Sequence, residues 1–493
     1  MGTDYFPNTY TGLACFLCFF FVLIRTWRRR HLYYSAFKVN GPIPFPLIGS
    51  AYVFFGHTQN ILESFTRLKR KYGLFYKLWM SSDLYFVVMK LDHVKAILNN
   101  CSEKFSTMKF VDPVFGKGLL TLPATEWKIH RKLLGGTLNQ QILNSYVDIF
   151  ANYSNVLVEK LEGTLDAGFV DMFPIFAQCM TDVLCGTILG TDLKVMKKNG
   201  PDVILWTAKL GELSVLRIFN PLLHPDFMWK KSSLSKQTNA ILHNVQRLIK
   251  KILESKRREK SYLKLEQEPN LLNYMLKLEN TETTWNEEMS AEETQAFLIA
   301  GADATSLTLG YVLMMLAMHQ EIQKQVFDEL DFVFGGSNRN VTLEDLHQLS
   351  LLERVVKETL RIFPVAPLVG RYFTEDLVVG NFTFPKGSSA FIPILCIHRD
   401  NEIWPNPLKF DPDRFLPGET AKRHPFSFIP FSGGPRKCLG PTYGYMSMKV
   451  VLATILRHYK VVATSYREIS EIEMKIDVSA RCVKGQNVIL HKR

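Results

Sequence analysis

Of the eight cysteines in this 493-residue chain, one keeps unusual chemical company. Cys438 lies in Pro430-Phe-Ser-Gly-Gly-Pro-Arg-Lys-Cys-Leu-Gly440, a loop rich in Gly and Pro that runs into a helical pattern over about 442–459. A cysteine at or just before a helix N-terminus meets free backbone N–H groups and the positive end of the helix dipole. Both favour thiolate over thiol, and the N–H groups can bond the sulfur and tune its electron donation. Taken alone, a cysteine in such a loop reads either as a structural thiol or as a thiolate ligand. Gly434 and Gly440 let the backbone pass close under a flat ligand, and Arg436 can reach an anionic group on it. Cys15 and Cys18 have CxxC spacing but sit in an apolar run, with no second pair or His at zinc spacing. Cys101, Cys179, Cys185 and Cys396 have apolar neighbours and read as buried thiols, which favours a reducing compartment.

Three more groupings set polar side chains on helical faces. Glu358-Thr-Leu-Arg361 pairs opposite charges at i and i+3. Trp127-Lys-Ile-His-Arg131 sets Trp and Arg at i and i+4. Ser290-Ala-Glu-Glu293 reads as a capping box that starts a mainly apolar helix reaching about residue 316. That helix is long enough to suggest a membrane span, but it carries Ala300-Gly-Ala-Asp-Ala-Thr305 in its middle. An ionised Asp303 at a bilayer centre is costly, so a central core helix is the better reading.

Phe431-x-x-Gly434-x-Arg436-x-Cys438-x-Gly440 resembles the haem-binding signature of the cytochromes P-450. Other segments match that family in the same order, so the resemblance spans nearly the whole chain. The overall look is similar to insect microsomal members in the clan of the fatty-acid omega-hydroxylases. The resemblance implies a mainly α fold with small β-sheets in one large domain, and a haem b (iron protoporphyrin IX) whose axial ligand is the Cys438 thiolate. It implies that Glu358 and Arg361 form a structural network with Arg414, from Phe410-Asp-Pro-Asp-Arg-Phe415, that holds the cysteine loop in register. It implies that Trp127, Arg131, Arg371, Arg436 and His398 stand near the haem propionates. Ala300, Gly301 and Ala304 would let the long helix approach the distal haem face, and Asp303 would relay protons to the reacting oxygen.

Three departures accompany the match. Asp413 stands where the family usually has Glu. The usual catalytic Thr falls at Ala304, and Thr305 is one residue later, rotated by about 100° around the helix. Some omega-hydroxylases bond a Glu covalently to haem at the position of Ala300, which Ala300 cannot do.

These residues need elements to hold them. A run from Tyr10 to Ile24 has no charge and is followed by Arg25, Arg28, Arg29 and Arg30. Fifteen helical residues cover about 22 Å of a ~30 Å hydrocarbon core, and Tyr5, Phe6 and Trp27 can extend the span. Basic residues after the run, and no small-residue cleavage site, read as an uncleaved anchor over 1–30 with its arginines in the cytosol. A Pro-rich hinge follows over 31–50, then the catalytic domain over 51–493. Within it, Leu74–Val88 reads as a hairpin, helical patterns dominate from about Asn139 to Leu276, and Lys250–Lys264 reads as a solvated helix end or loop. Phe219–Trp229 is apolar, broken by two Pro, and reads as a loop that either dips into the membrane or packs in the core. Net charge is +12, of which residues 1–30 hold four Arg and one Asp, or +3. No basic block interleaved with aromatics suggests a nucleic-acid groove. A basic surface near anionic lipid or an acidic partner fits instead.

The expected activity is insertion of one atom of O2 into a lipophilic molecule: a fatty acid, a hormone-like lipid or a xenobiotic. Electrons would come from an NADPH-dependent flavoprotein reductase, with a cytochrome b5-type donor as a second source, docked near Lys128, Lys132, Lys437 and Lys449. The pocket would draw on parts of Phe105–Leu120, Phe297–Ala304 and Val365–Val369. The implied location is the endoplasmic reticulum membrane, body toward the cytosol. Two rivals remain at this level: a haem-thiolate isomerase or dehydratase that needs no reductase, kept alive by Ala304, and a non-catalytic haem sensor or carrier.

Overall fold

The computed structural model describes residues 11–493 except 14–15, 18–19, 21–23, 25, 57, 166, 199–202 and 260–268. Much of the expected 1–30 anchor, and the end of the 250–264 charged stretch, lie outside the described residues. The rest is mainly helical with four small sheets.

The largest sheet begins with β1 (Phe75–Met80) and β2 (Asp83–Val88), a hairpin rich in aromatic residues and ending in Val87 and Val88. Gly49, at the end of the Pro-rich stretch, bridges to Met80 and ties that stretch to the sheet. Helix α1 (Ala124–Leu134) carries the Trp127/Arg131 face. Helices α2 (Met172–Thr187) and α3 (Val203–Phe219) lead to α4 (Glu287–Met318). Helix α5 (Ser350–Ile362) holds the Glu358/Arg361 pair. Strands β3 (Val369–Tyr372) and β4 (Ser389–Ile392) complete the sheet in the order β1-β2-β4-β3, with β2 and β4 parallel and the other pairs antiparallel. Helix α6 (Pro441–His458) begins three residues after Cys438, with Pro in its first turn, where a missing N–H costs nothing. Strands β5 (Met474–Asp477) and β6 (Ser479–Cys482) form a late antiparallel hairpin.

Helix α4 is apolar enough to cross a membrane by composition, yet 78% of its most apolar window is buried inside the protein. It is the core helix, packed along α2 on one side and near α5 and α6 on others. Its start differs from the sequence expectation. Asn286 is the cap, its side chain accepting from the Met289 N–H. Ser290 is already inside the helix and accepts from the Trp285 indole at 2.9 Å. Glu293 is buried and used elsewhere. Asn and Ser both cap well, so the outward turn at 286 decided between them. The 219–229 stretch is not an open loop: 3-10 turn Pro221–Leu223 and short helix Asp226–Lys231 occupy it.

Candidate functional site

Cys438 is exposed, yet burial by surrounding protein dominates its ionisation. Together these place its sulfur on the wall of an interior space rather than on the outer surface. The Gly440 N–H donates to Sγ at 3.3 Å, and the Cys438 N–H donates to the Phe431 carbonyl at 3.0 Å, closing the loop on itself. Phe431 packs edge-on against Tyr445 of α6. Burial pushes the thiol above its ordinary value, against the pull of the Gly440 N–H and the Arg131 charge. The helix-end N–H groups thus act in the expected direction without overcoming desolvation. A metal ion at the sulfur would, since a coordinating thiol is deprotonated outright.

The two loop glycines have different reasons. Gly434 has φ +68°, and a Cβ there would sit 1.8 Å from the Leu98 carbonyl oxygen. It is forced by the backbone of the helix Leu91–Asn100, which passes against it. Around Gly440 a Cβ would meet only Tyr443, at 3.9 Å. Gly301 is likewise a packing glycine, since its Cβ would strike the Leu184 side chain of α2.

Cations gather on one side of the site. Arg371, fixed by the β3–β4 register opposite Ala390, is 2% exposed and donates to the carbonyls of Cys101 and Gly370. Its Nη2 is buried with no partner. Arg436 stacks 4.4 Å over the Trp127 ring and donates to the carbonyls of Ser102, Leu119 and Leu122. Burial pushes Arg371 down to about 10, and burial with Arg371 does the same to Arg436. Burial and both arginines hold Lys104 well below its usual range. Arg131 has no hydrogen-bond or ion-pair partner among the described residues. Among the described residues Glu103 acts on Arg436 against several cations, and a group bearing two carboxylates would relieve the excess. Haem, with two propionates and an iron for Cys438, fits these residues.

A second accessible patch lies on α4. Along this buried helix, Ala300 is exposed and Phe297, Gly301 and Ala304 are half-buried, a stripe at i, i+3 or i+4 that opens inward. Asp303 and Thr305 lie off it, both buried. The Thr305 hydroxyl donates to the Gly301 carbonyl at 2.6 Å. Asp303 accepts from Ser479 at 2.6 Å and is paired with Arg481, both from the late hairpin.

The structural network comes together. Arg361 grips Glu358 through two bonds of 2.7 Å, with both side chains fully buried. Arg414 lies 3.5 Å from the same carboxylate, and the Asp411 N–H donates to it. Arg361 also donates to the His398 carbonyl, and His398 Nε2 accepts from the Ile429 N–H, one residue before Pro430. His398 therefore links this network to the cysteine loop. Asp413, the departure from the usual Glu, is outside the network, 68% exposed and facing Arg354.

His130 had no sequence signal of its own, and Glu293, read from sequence as half of a capping box, works elsewhere. His130 pairs with Glu293 at 2.6 Å, both buried, and Glu293 also accepts from the Leu119 N–H. This joins α1 to α4 and to the 116–122 loop. Lys128, Lys132 and Lys437 are exposed, but Lys449 is 5% exposed and bonded to Glu353 and the Leu346 carbonyl, so it leaves the expected docking face.

A family model, Cytochrome P450, matches residues 39–485. The chain is 32% identical over 460 residues to Cytochrome P450 4V2 of Homo sapiens, covering 86% of each chain. It is 29% identical to Cytochrome P450 4c21 of Blattella germanica, over 89% of this chain and 90% of that one. It is also 29% identical to Cytochrome P450 4g1 of Drosophila melanogaster, over 96% and 92%.

Proposed function

Because the chain belongs to the cytochrome P450 family, and is a haem-thiolate monooxygenase, we propose that it hydroxylates a lipophilic small molecule of the fatty-acid or hormone-like class at the endoplasmic reticulum membrane, with electrons from an NADPH-dependent flavoprotein reductase. When bound, haem b supplies the activation of O2, with the thiolate favouring O–O cleavage. Cys438 would hold the iron. Arg371, Arg436, Arg131 and Trp127 would hold the propionates, Arg371 through its spare Nη2. Phe297, Ala300 and Ala304 present apolar surface to the substrate side, which suits an alkyl chain. Lys128, Lys132 and Lys437 give the reductase a basic face. Leu222, Phe227 and Met228, all exposed, with Phe37 and Leu47, give the body apolar contacts for lipid.

The observation that carries this reading is Cys438, set among buried atoms with a backbone N–H on its sulfur, together with an accessible stripe on the otherwise buried α4. The absorption spectrum of the reduced, carbon monoxide-bound protein tests it. A strongly red-shifted Soret band requires a thiolate ligand. Cys438→Ala abolishes that band, and Cys396→Ala leaves it. Retention of the band in Cys438→Ala would assign the iron to another sulfur.

A further inference from the structure

Glu293 is wholly buried near the start of α4, yet both its oxygens are spent on other segments. Oε1 meets His130 Nδ1 of α1 at 2.6 Å, and Oε2 accepts from the Leu119 N–H at 3.1 Å. Its neighbour Glu292 accepts from the Lys117 N–H at 2.6 Å. Gln295 donates to the Pro113 and Val114 carbonyls at 3.3 and 2.9 Å. One short stretch of α4 thus grips the backbone from Pro113 to Leu119 through donors and acceptors alike. The loop is built to come this close. A Cβ on Gly118 would lie 2.8 Å from Glu293 Oε2 and 3.1 Å from the Ala296 Cβ, and one on Gly116 would strike Glu292 Oε2. A buried carboxylate is costly without partners, so Glu293 holds the loop and α1 at fixed distance.

The other side of the loop is held from the cysteine segment. Arg436, two residues before Cys438, donates to the Leu119 and Leu122 carbonyls. The Thr121 hydroxyl closes the loop on the Gly116 carbonyl at 2.7 Å. Leu119, Leu120 and Thr121 are half-buried. The 116–122 loop is therefore strung between α4, beside Ala296 and next to the accessible Phe297, and the segment that carries Cys438. Helix α1 joins the same arrangement: Trp127 stacks under Arg436, and one turn on His130 meets Glu293. The Trp285 ring, just ahead of α4, packs on the His130 ring with centroids 4.8 Å apart. One carboxylate thus sets the spacing of three segments around the site.

We propose that Glu293 is a positioning residue that straps the 116–122 loop to α4 and so fixes which carbon of an alkyl chain is presented for oxidation. It acts through the loop and through His130, since both its oxygens are already taken. This rests on the monooxygenase reading.

The test combines hydrogen exchange in peptides covering 116–122 with turnover of dodecanoate, both on the full-length holoenzyme. Turnover uses a reductase and NADPH and is counted per haem from the carbon monoxide band. Glu293→Leu removes both bonds. Glu293→Gln keeps an acceptor for the Leu119 N–H and a donor for the other tautomer of His130. Gly118→Ala pushes the loop off α4 with the acid untouched. Glu293→Leu and Gly118→Ala are expected to speed exchange in 116–122 by about tenfold, the worth of one hydrogen bond. Both should raise KM several-fold, change kcat per haem less, and spread hydroxylation over more carbons. Glu293→Gln should fall between them and the parent. If Glu293→Leu does not fold, Gly118→Ala decides. Unchanged exchange in 116–122 would overturn the strap. So would a smaller carbon monoxide band with KM and product positions per haem unchanged, which is the mark of a purely structural bond. Exchange needs no substrate, so failure of the parent to oxidise dodecanoate sinks the proposed substrate class while exchange still decides the strap.

Discussion

His398 has no exposed surface, and burial followed by the Arg361 charge holds its imidazole down to about 3. It is neutral in the folded protein. The unfolded chain, with an ordinary His, takes up a proton as pH falls through about 6.5. A depressed folded value means that the His398 contribution is complete above 6.5 and is lost on acidification toward about 3. Stability should fall by up to about 1.4 kcal/mol per pH unit through this one residue. His398→Gln keeps an acceptor for the Ile429 N–H and should flatten that slope between pH 6.5 and 5, as read by urea midpoints. The neighbouring network behaves differently. Arg361→Ala takes the two shortest bonds from a fully buried Glu358, leaving it only Arg414 at 3.5 Å and the Asp411 N–H, a loss of about 3–5 kcal/mol, seen as a large drop in urea midpoint. Asp413→Glu, by contrast, alters an exposed pair with Arg354 and should change stability by less than ~1 kcal/mol.

At the scale of the element, α4 turns the Ala304 departure into a measurable question. Ala304 is on the open stripe, while the Thr305 hydroxyl is spent on the Gly301 carbonyl. A hydroxyl placed at 304 would enter the interior space; one removed at 305 would leave a helix carbonyl with its backbone bond intact. Ala304→Thr is expected to raise product formed per NADPH for substrates with no hydroxyl near the reacting carbon. Thr305→Ala should have the smaller effect. Coupling and substrate dissociation constant are measured together, because Thr can also crowd the pocket. No change in either for Ala304→Thr, with strong uncoupling in Thr305→Ala, would make Thr305 the working hydroxyl.

For the whole molecule, the proposed membrane location rests on an apolar patch of the body. Leu222 (53% exposed), Phe227 (64%) and Met228 (45%) project from two short helices stabilised by Arg217, which lies over the Trp229 ring and pairs with Asp226. Protein lacking residues 1–30 should still bind neutral phosphatidylcholine vesicles in part. Replacing Leu222, Phe227 and Met228 by Ser should then weaken binding by roughly tenfold or more per side chain inserted, since each buries about 1.5–3 kcal/mol of apolar surface. Complete loss of binding in the truncated protein alone would remove this segment as a membrane contact.

Much of this protein was legible in the chain. The β1–β2 hairpin, the helix after Cys438 and the Glu358/Arg361 pair follow from local spacing, because periodicity and i, i+3 geometry are properties of a few consecutive residues. The cysteine loop could be singled out because Gly, Pro and Cys together restrict what the backbone can do. What stayed hidden depends on residues far apart in sequence. Whether Ser290 or Asn286 caps α4 turned on where the chain leaves the core. That Gly434 answers to Leu98, and Gly301 to Leu184, is a matter of close approach between distant segments. Lys449 reads as one more surface lysine until α6 packs beside Glu353. Asp303 reads as a free acid until the hairpin brings Arg481, 178 positions later, against it. Sequence fixes which groups can ionise; only the tertiary packing decides which of them are desolvated, and with whom they must share a charge.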